Sequence, residues 1–161
     1  MQPSPSQGPS HHDHLPHTGP AVEEHGRAVT ANPRAAAWYR RGQRAADSRR
    51  AAAALRLAVS ADPGFGLAAA DLKALTGTPD HQPAGRATNW ERHHIEVVAT
   101  AAAGQATRAA DLLREHLASV GCDPLAVRIT ARLQPPTGPG DFEDLVSQLP
   151  GCHATPWSSA S

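Results

Sequence analysis

The chain has 161 residues, of which 40% are hydrophobic and only 4% are aromatic, so it can form one modest domain packed mainly through Ala, Leu and Val. Its 15 basic and 15 acidic side chains cancel, and Lys73 is the only lysine, so the overall charge indicates neither nucleic acid nor an anionic membrane as a partner. No apolar run has the length of a membrane span or follows the pattern of a signal peptide, which predicts a cytoplasmic protein.

Residues 1–32 are rich in Pro, Ser, Gln, Gly and His and show no sustained periodicity. Ordering such a segment would cost more conformational entropy than its few apolar side chains return, so it is predicted to be a disordered tail. Four of its histidines have donor atoms that suit Zn²⁺, Ni²⁺ or Cu²⁺, namely His11, His12, His14 and His17. Because a disordered frame weakens metal binding, we favour incidental low-complexity sequence over a metal site.

Residues 33–133 carry helical periodicity and are predicted to form a helical repeat domain. Trp38, Tyr39 and Gly42 mark a first helix, and a second helix stops before Asp62-Pro63. That second helix has a stripe of small and apolar residues at helical spacing, namely Ala51, Leu55, Ala58 and Val59. A third helix follows from about Phe65, and a loop rich in Pro and Gly is predicted at residues 76–88.

The second half of this domain is predicted to be another helical hairpin. Its two helices have apolar stripes that include Trp90, His94, Val97, Val98 and Ala101, and then Ala109, Leu112, Leu113, His116, Leu117 and Val120. Gly104 between them suits a left-handed C-cap, and the short connection makes the helices antiparallel. A last helix begins at Asp123-Pro124. Five helices and no strand are expected, with breaks also near Asp47 and Asp62-Pro63.

Residues 134–161 are predicted to be a linker, a short amphipathic helix at 141–149 and a loose tail. The helix at 141–149 would only partly cover the apolar face of the helix that ends at Leu133. The result would be an exposed interaction surface for a partner helix or a second copy of the chain. Its residues would be Leu125, Ile129, Leu133, Phe142, Leu145 and Val146.

Two sequence patterns carry a family resemblance. Ala51, Leu55, Ala58 and Pro63 fit the half-signature A-x3-F-x2-A-x4-P and resemble the tetratricopeptide repeat. The run RHHIEVVATAAAGQATRAADLLREHL, followed by CDPLAV, is similar to bacterial relatives of tetratricopeptide repeat protein thirty-eight. The resemblance implies an all-α fold of antiparallel hairpins in a short α-solenoid. It also implies further repeats, so the chain looks truncated, and it carries no settled activity.

Polar and reactive side chains are few. Cys122 and Cys152 are too far apart in sequence to suggest a zinc site, and in a reducing cytoplasm both are expected to be free thiols. The second hairpin would gather a polar cluster whose members are Glu91, His93, His94, Glu115 and His116. Two imidazoles and two carboxylates could hold a metal or transfer a proton, but H-E-x-x-H is absent.

His94 and His116 lie on the apolar stripes, which favours buried neutral rings with satisfied nitrogens over catalytic groups. We expect His116 to pair with Glu91, His93 or His94, while Glu91 and His93 themselves face solvent. Trp38 and Trp90 are expected to be packing anchors.

Three hypotheses for function follow. The first is a non-catalytic helical-repeat scaffold that binds another protein or peptide, or a second copy of itself, without a cofactor. The second is a metal-dependent or acid-base enzyme, or an accessory protein, that uses His94, Glu115 and His116. The third is a truncated family member with little function of its own.

Overall fold

A computed structural model describes residues 21–77 and 86–133, together with Ser147, Cys152 and Trp157. The described residues form six α-helices and no strand, apart from one isolated bridge between Val22 and Ala28. The helices are α1 (Pro33–Gln43), α2 (Ser48–Ala61), α3 (Gly66–Thr76), α4 (Asn89–Ala102), α5 (Ala106–Val120) and α6 (Pro124–Leu133). The predicted all-α fold is confirmed, although six helices are present rather than five. None of these helices is long and apolar enough to cross a membrane.

Local side-chain chemistry explains where several helices begin and end. Asn32 and Asp47 each accept a hydrogen bond from the amide three residues further on, which caps α1 and α2. Thr88 and Glu91 form a reciprocal capping box at α4. After α4, Gly104 has a φ of +74°, in the left-handed region that glycine adopts without steric penalty. The left-handed role predicted for this glycine is therefore confirmed.

The helices pack around one main core. α1 pairs with α2 and α4 pairs with α5, while α3 lies between α2 and α4. The largest side chains of this core are all fully buried, and they are Tyr39, Leu55, Phe65, Leu67, Leu125 and Ile129. Burial of such apolar and aromatic side chains provides the main favourable free energy of folding.

The apolar face of α6 turns into this core. α6 packs mainly against α4, with smaller contacts to α1, α3 and α5, and Leu125 and Ile129 are fully buried. The prediction that these two residues form an exposed interaction surface is therefore wrong, because neighbouring helices cover them. Leu133 is half-buried against the same core. The other predicted members, Phe142, Leu145 and Val146, lie outside the described residues, as does the predicted helix at 141–149 except for Ser147.

The helix pair joined by Asp62-Pro63, α2 and α3, and the pair joined by Asp123-Pro124, α5 and α6, do not pack in the same way. α3 packs closely against α2, the helix before it, and about equally against α4, whereas α6 packs mainly against α4 and makes few contacts with α5, the helix before it. A regular solenoid would place the two units in equivalent surroundings. The two helix pairs share an Asp-Pro junction in sequence, but they therefore differ in how they pack.

Residues 21–32 pack on the helical domain, so the prediction of disorder is wrong for them. The side chain of Glu23 is buried and accepts hydrogen bonds from the amides of His25 and Arg27 and from the side chain of Gln43. Val29 is also buried in the main core. The guanidinium of Arg27 donates a fourth hydrogen bond to this carboxylate, so the hydrogen-bonding capacity of the buried group is satisfied. Residues 1–20, including His11, His12, His14 and His17, lie outside the described residues.

Glu91 holds the end of this segment against α4. Its carboxylate accepts hydrogen bonds from the amide and hydroxyl of Thr30, each at 2.8 Å, and from the amide of Thr88 at 2.7 Å. Only 1% of Glu91 is exposed, so the prediction that it faces solvent is wrong. Trp90 donates its indole N–H to the carbonyl of Ala28 at 2.9 Å and packs against the core, in the predicted anchoring role.

Cys122 and Cys152 form a disulfide, with their Cα atoms 4.9 Å apart. The prediction that both are free thiols is therefore wrong. The sequence separation of 30 residues gave no sign of the pairing, because only the fold brings residue 152 to the junction of α5 and α6. Beyond it, Trp157 donates its indole N–H to the carbonyl of Ala45 at 3.1 Å.

We predict that the disulfide contributes strongly to stability. Closing a loop between cysteines 30 residues apart removes chain entropy from the unfolded state, so the Cys152→Ser variant should lose about 3 to 4 kcal/mol of unfolding free energy. Urea titrations of the oxidised wild type and of the variant measure the difference. Reductant should lower the stability of the wild type and leave Cys152→Ser unchanged. A wild type that is equally stable with and without reductant would contradict this prediction.

Candidate functional site

A chain of buried polar side chains runs through the middle of the domain. Its members, which we call the buried polar chain, come from five helical elements: Tyr39 on α1, Asp71 on α3, His94 on α4, His116 on α5 and Asp123 before α6. Each is at most 1% exposed. Burial of so many polar groups is expensive unless every one is hydrogen-bonded, so their geometry decides what they do.

The hydrogen bonds of this chain are continuous. Tyr39 donates its hydroxyl to Asp71 at 2.9 Å, and the other oxygen of Asp71 lies 2.6 Å from His94 Nε2. The second nitrogen of His94, Nδ1, lies 2.6 Å from Asp123 Oδ2, which also lies 2.8 Å from His116 Nε2. The remaining oxygen of Asp123 accepts from the amide of Ala126 at 3.2 Å and so caps α6. All four carboxylate oxygens therefore have partners.

The charges follow from this geometry. Burial alone would lower the pKa of His94, but the charges of Asp123 and Asp71 and their hydrogen bonds raise it to about 10. Burial likewise opposes ionisation of Asp123, yet the His94 charge and the hydrogen bonds from His116 and His94 hold the pKa of Asp123 well below its ordinary value. His94 is therefore an imidazolium that donates from both nitrogens to the two carboxyl groups.

At Asp71 and His116, in contrast, burial favours the uncharged form of the side chain. Burial raises the pKa of Asp71, and the neighbouring His94 charge only partly offsets this effect. Burial lowers the pKa of His116, and the charges of His94 and His93 act in the same direction. His116 is thus a neutral ring that donates from Nε2 to Asp123, while its Nδ1 has no hydrogen-bond partner among the described residues. Both rings are buried as predicted. His94 has both nitrogens satisfied but is charged, whereas His116 is neutral but has only one nitrogen satisfied.

His94 Nδ1, His116 Nε2 and Asp123 Oδ2 all lie within 4.8 Å of one another and are chemically suitable metal ligands. Their spacing nevertheless fits hydrogen bonding. Zn²⁺ ligands about 2.0–2.1 Å from the metal lie roughly 3.3 Å apart in a tetrahedron. The two nitrogens here approach the carboxylate oxygen to 2.6 and 2.8 Å, so these atoms would have to separate to admit an ion.

The sequence-predicted cluster comes together only in part. The ring of His93 packs edge-on against His116, with centroids 5.5 Å apart, and His93 is half-buried rather than solvent-facing. Glu115 is exposed, and Glu91 belongs to the separate contact with Thr30. The ring of His116 also packs edge-on against His94, so the predicted contact with the preceding helix is present, but its hydrogen-bond partner is Asp123 and not Glu91.

Sequence reasoning missed three members of the buried polar chain. Asp71 is the only carboxylate on α3, the mainly apolar helix GLAAADLKALT, and a single carboxylate among apolar residues was the available signal. Asp123 was recognised only as a helix cap, and Tyr39 only as part of a helix start. The part that these three residues play in one hydrogen-bond network could not be found from periodicity, since it depends on contacts between different helices.

The exposed face of α1 and α2 carries a different feature. A cleft of about 660 Å³ lies between the second half of α1 and the first half of α2, and we call it the α1–α2 groove. It is lined by Trp38, Arg41, Arg44, Arg50, Ala54 and Leu57, among others. Leu57 is 44% exposed, and among the described residues Val22 is the only other large hydrophobic residue that is exposed. Trp38 is half-buried, so its predicted anchoring role holds, but one part of it faces this groove.

No family model, curated protein or solved structure matches the chain. The resemblance to tetratricopeptide repeats therefore stays a prediction, and no relative supplies an activity or a partner. Arguments about function depend on the geometry of the described residues alone.

We predict that stability falls as pH rises from about 6.5 towards 10. An unfolded histidine titrates near 6.5 and the folded pKa of His94 is about 10, so the folded state alone keeps this proton between those values. The stabilisation is complete below pH 6.5 and is lost through pH 10, with a slope of at most about 1.4 kcal/mol per pH unit.

Denaturant titrations across this pH window measure the slope. His94→Gln should flatten it, while the exposed His25→Gln should retain it. A flat wild-type profile across the window would contradict the assignment of an imidazolium to His94, even if the His94→Gln variant fails to fold.

We also predict that truncating residues of the buried polar chain lowers the free energy of unfolding, by an amount that depends on the residue. Asp123→Ala should lose about 3 to 5 kcal/mol, because it leaves the His94 charge short of a buried partner. His116→Ala should lose about 1 to 3 kcal/mol, because it removes one donor to Asp123. The adjacent exposed Glu115→Ala should stay within about 0.5 kcal/mol of wild type. Thermal and urea unfolding give these values, and an Asp123→Ala variant as stable as Glu115→Ala would refute the network.

Proposed function

We propose that this chain is a non-catalytic helical module that binds another protein or peptide. The observation that carries the proposal is the α1–α2 groove, where Trp38 and Leu57 offer apolar surface beside three arginines. Exposed apolar surface rimmed by charged side chains is typical of interaction sites. The groove replaces the α6 surface expected from the sequence.

The arrangement of the histidines favours binding over catalysis. His94 and His116 are closed off from solvent and line neither of the two clefts described on this domain. Glu115, the third member of the predicted acid-base set, is exposed and does not share their network. A general acid or base must reach the substrate proton to within hydrogen-bond distance. The buried polar chain meets the description of a structural network instead.

A tetratricopeptide arrangement is proposed on narrower grounds. Ala51, Leu55 and Ala58, which carry the half-signature, are all fully buried, and Gly42 lies against Leu55. The unequal packing of α3 and α6 weighs against a regular repeat. We therefore restrict the proposal to the α1–α2 hairpin.

The cytoplasmic location is also only a proposal, and the disulfide weighs against it. Disulfides persist in oxidising compartments and are rare in a reducing cytoplasm. The Cys122–Cys152 bond thus argues against the location that was predicted from the absence of a membrane-span or signal-peptide pattern in the sequence.

Site-specific cross-linking in the native cell tests the binding proposal. A photoreactive amino acid placed at Leu57, in the groove, should give a discrete protein adduct, because a bound partner would lie against it. The same group at the exposed Thr107 on α5 serves as the control and should give none. Mass spectrometry identifies the adduct. If neither position yields one, the interaction-module proposal fails.

A further inference from the structure

We propose that the α1–α2 groove binds an acidic peptide segment that carries an apolar anchor residue. This inference deepens the proposed binding function and depends on it. It commits to the chemistry of the partner, namely carboxylates flanking a large apolar side chain, because the groove combines basic walls with an apolar floor.

The groove is built from one face of each helix. On α1, Trp38 and Arg41 lie three residues apart on one face, and Arg44 and Ala45 follow directly after the end of the helix. On α2, Arg50, Ala53, Ala54 and Leu57 occupy positions i, i+3, i+4 and i+7 of one stripe. The small alanines leave a floor between Trp38 and Leu57, where an apolar side chain would be shielded from water. The arginines stand around this floor.

The charge of this hairpin is far from the balance of the whole chain. Residues 33–61 contain seven arginines, at positions 34, 40, 41, 44, 49, 50 and 56, and a single acidic residue, Asp47. The chain as a whole has equal numbers of both signs. Positive charge is therefore concentrated on α1 and α2, and none of the described residues that line the groove is acidic. Such a patch attracts an acidic partner and speeds its association.

The existing partners of these arginines leave them available. Arg44 pairs with Glu24 and Arg50 pairs with Asp47, while 67% and 76% of the two arginine side chains remain exposed. Exposed ion pairs of this kind are weak, so an incoming carboxylate can share or replace the local partner. The guanidinium of Arg41 lies over the ring of Trp38, with 5.4 Å to the ring centroid, and a guanidinium held in this way can still donate hydrogen bonds to a carboxylate.

A peptide fits these features better than a nucleic acid does. Single-stranded nucleic acids need open aromatic faces for successive bases to stack on, in addition to positive charge. Among the described residues that line the groove, Trp38 is the only aromatic one, and the guanidinium of Arg41 lies over its ring. Leu57 and the alanines offer apolar contact but no stacking platform. An acidic segment with one apolar anchor uses both the charge and the floor.

Fluorescence anisotropy with synthetic peptides tests the inference on the full, disulfide-bonded chain. The probe is a short labelled peptide whose Glu and Asp residues flank a central Leu-Phe pair. Two matched peptides replace either its acidic residues by Lys or its Leu-Phe pair by Ser-Ser. The acidic apolar peptide should bind, both matched peptides should bind far more weakly, and added salt should weaken binding because it screens the charges.

Protein variants locate the site. The double variant Arg41→Glu/Arg50→Glu should weaken binding by about tenfold or more, because reversed charges repel the peptide. Leu57→Ser should weaken it as well. Arg108→Glu on α5, where 66% of the side chain is exposed, is the matched control and should bind like wild type. All of these side chains are exposed, so circular dichroism should show unchanged helix content.

Several results would overturn the inference. They are the absence of binding by the acidic peptide, equal binding of the Lys peptide, equal loss in the Arg108→Glu variant, and tighter binding of a single-stranded oligonucleotide than of the peptide. A cross-linked partner at Leu57 without any binding of the acidic peptide would refute this partner chemistry and leave the binding module standing. The absence of both would refute the two proposals together.

Discussion

The shared carboxylate of Asp123 is the interaction on which the rest of the domain depends. One oxygen receives hydrogen bonds from His94 on α4 and His116 on α5, and the other caps α6. Through His94 the network continues to Asp71 on α3 and Tyr39 on α1. Apolar packing can accommodate small sliding of one helix past another. A continuous run of buried hydrogen bonds cannot, because each broken bond would leave a desolvated polar group without a partner.

Such a network need not increase stability over an apolar core of the same shape. Desolvation of buried charges can exceed what their attraction returns, and well-packed hydrophobic replacements are often as stable. We favour a role in fixing which helices meet, since an interior built mainly from Ala, Leu and Val offers few large side chains to define that arrangement. The histidines that suggest chemistry in the sequence are used inside the domain. The proposed binding function depends instead on the surface of α1 and α2, where positive charge is concentrated.

The edges of the domain are fastened by long-range contacts of a different kind. Arg27 pairs with buried Glu23, donates to the carbonyls of Val120 and Cys122, and lies over Trp90. The N-terminal segment is therefore attached to the end of α5, beside the disulfide. Residues 21–32 contribute few large apolar side chains, so these polar and cation–π contacts, together with the buried Val29, hold the segment against the helices.

Local sequence was sufficient to locate the helices, because caps, apolar spacing and glycine conformations act within a few residues: Asp47, Gly104 and the two Asp-Pro junctions all separate helices as predicted. The spacing of His116 on its helix also predicted its burial. Which residues meet depends on the packing of the whole domain. The fold brings together residues that are far apart in the chain: Asp71 and Asp123 around His94, Cys122 with Cys152, and Ile129 with the helices that cover it. Local periodicity contains no information on such pairings. A residue's face can be read from its spacing, whereas its partner depends on how the faces of all the helices pack together.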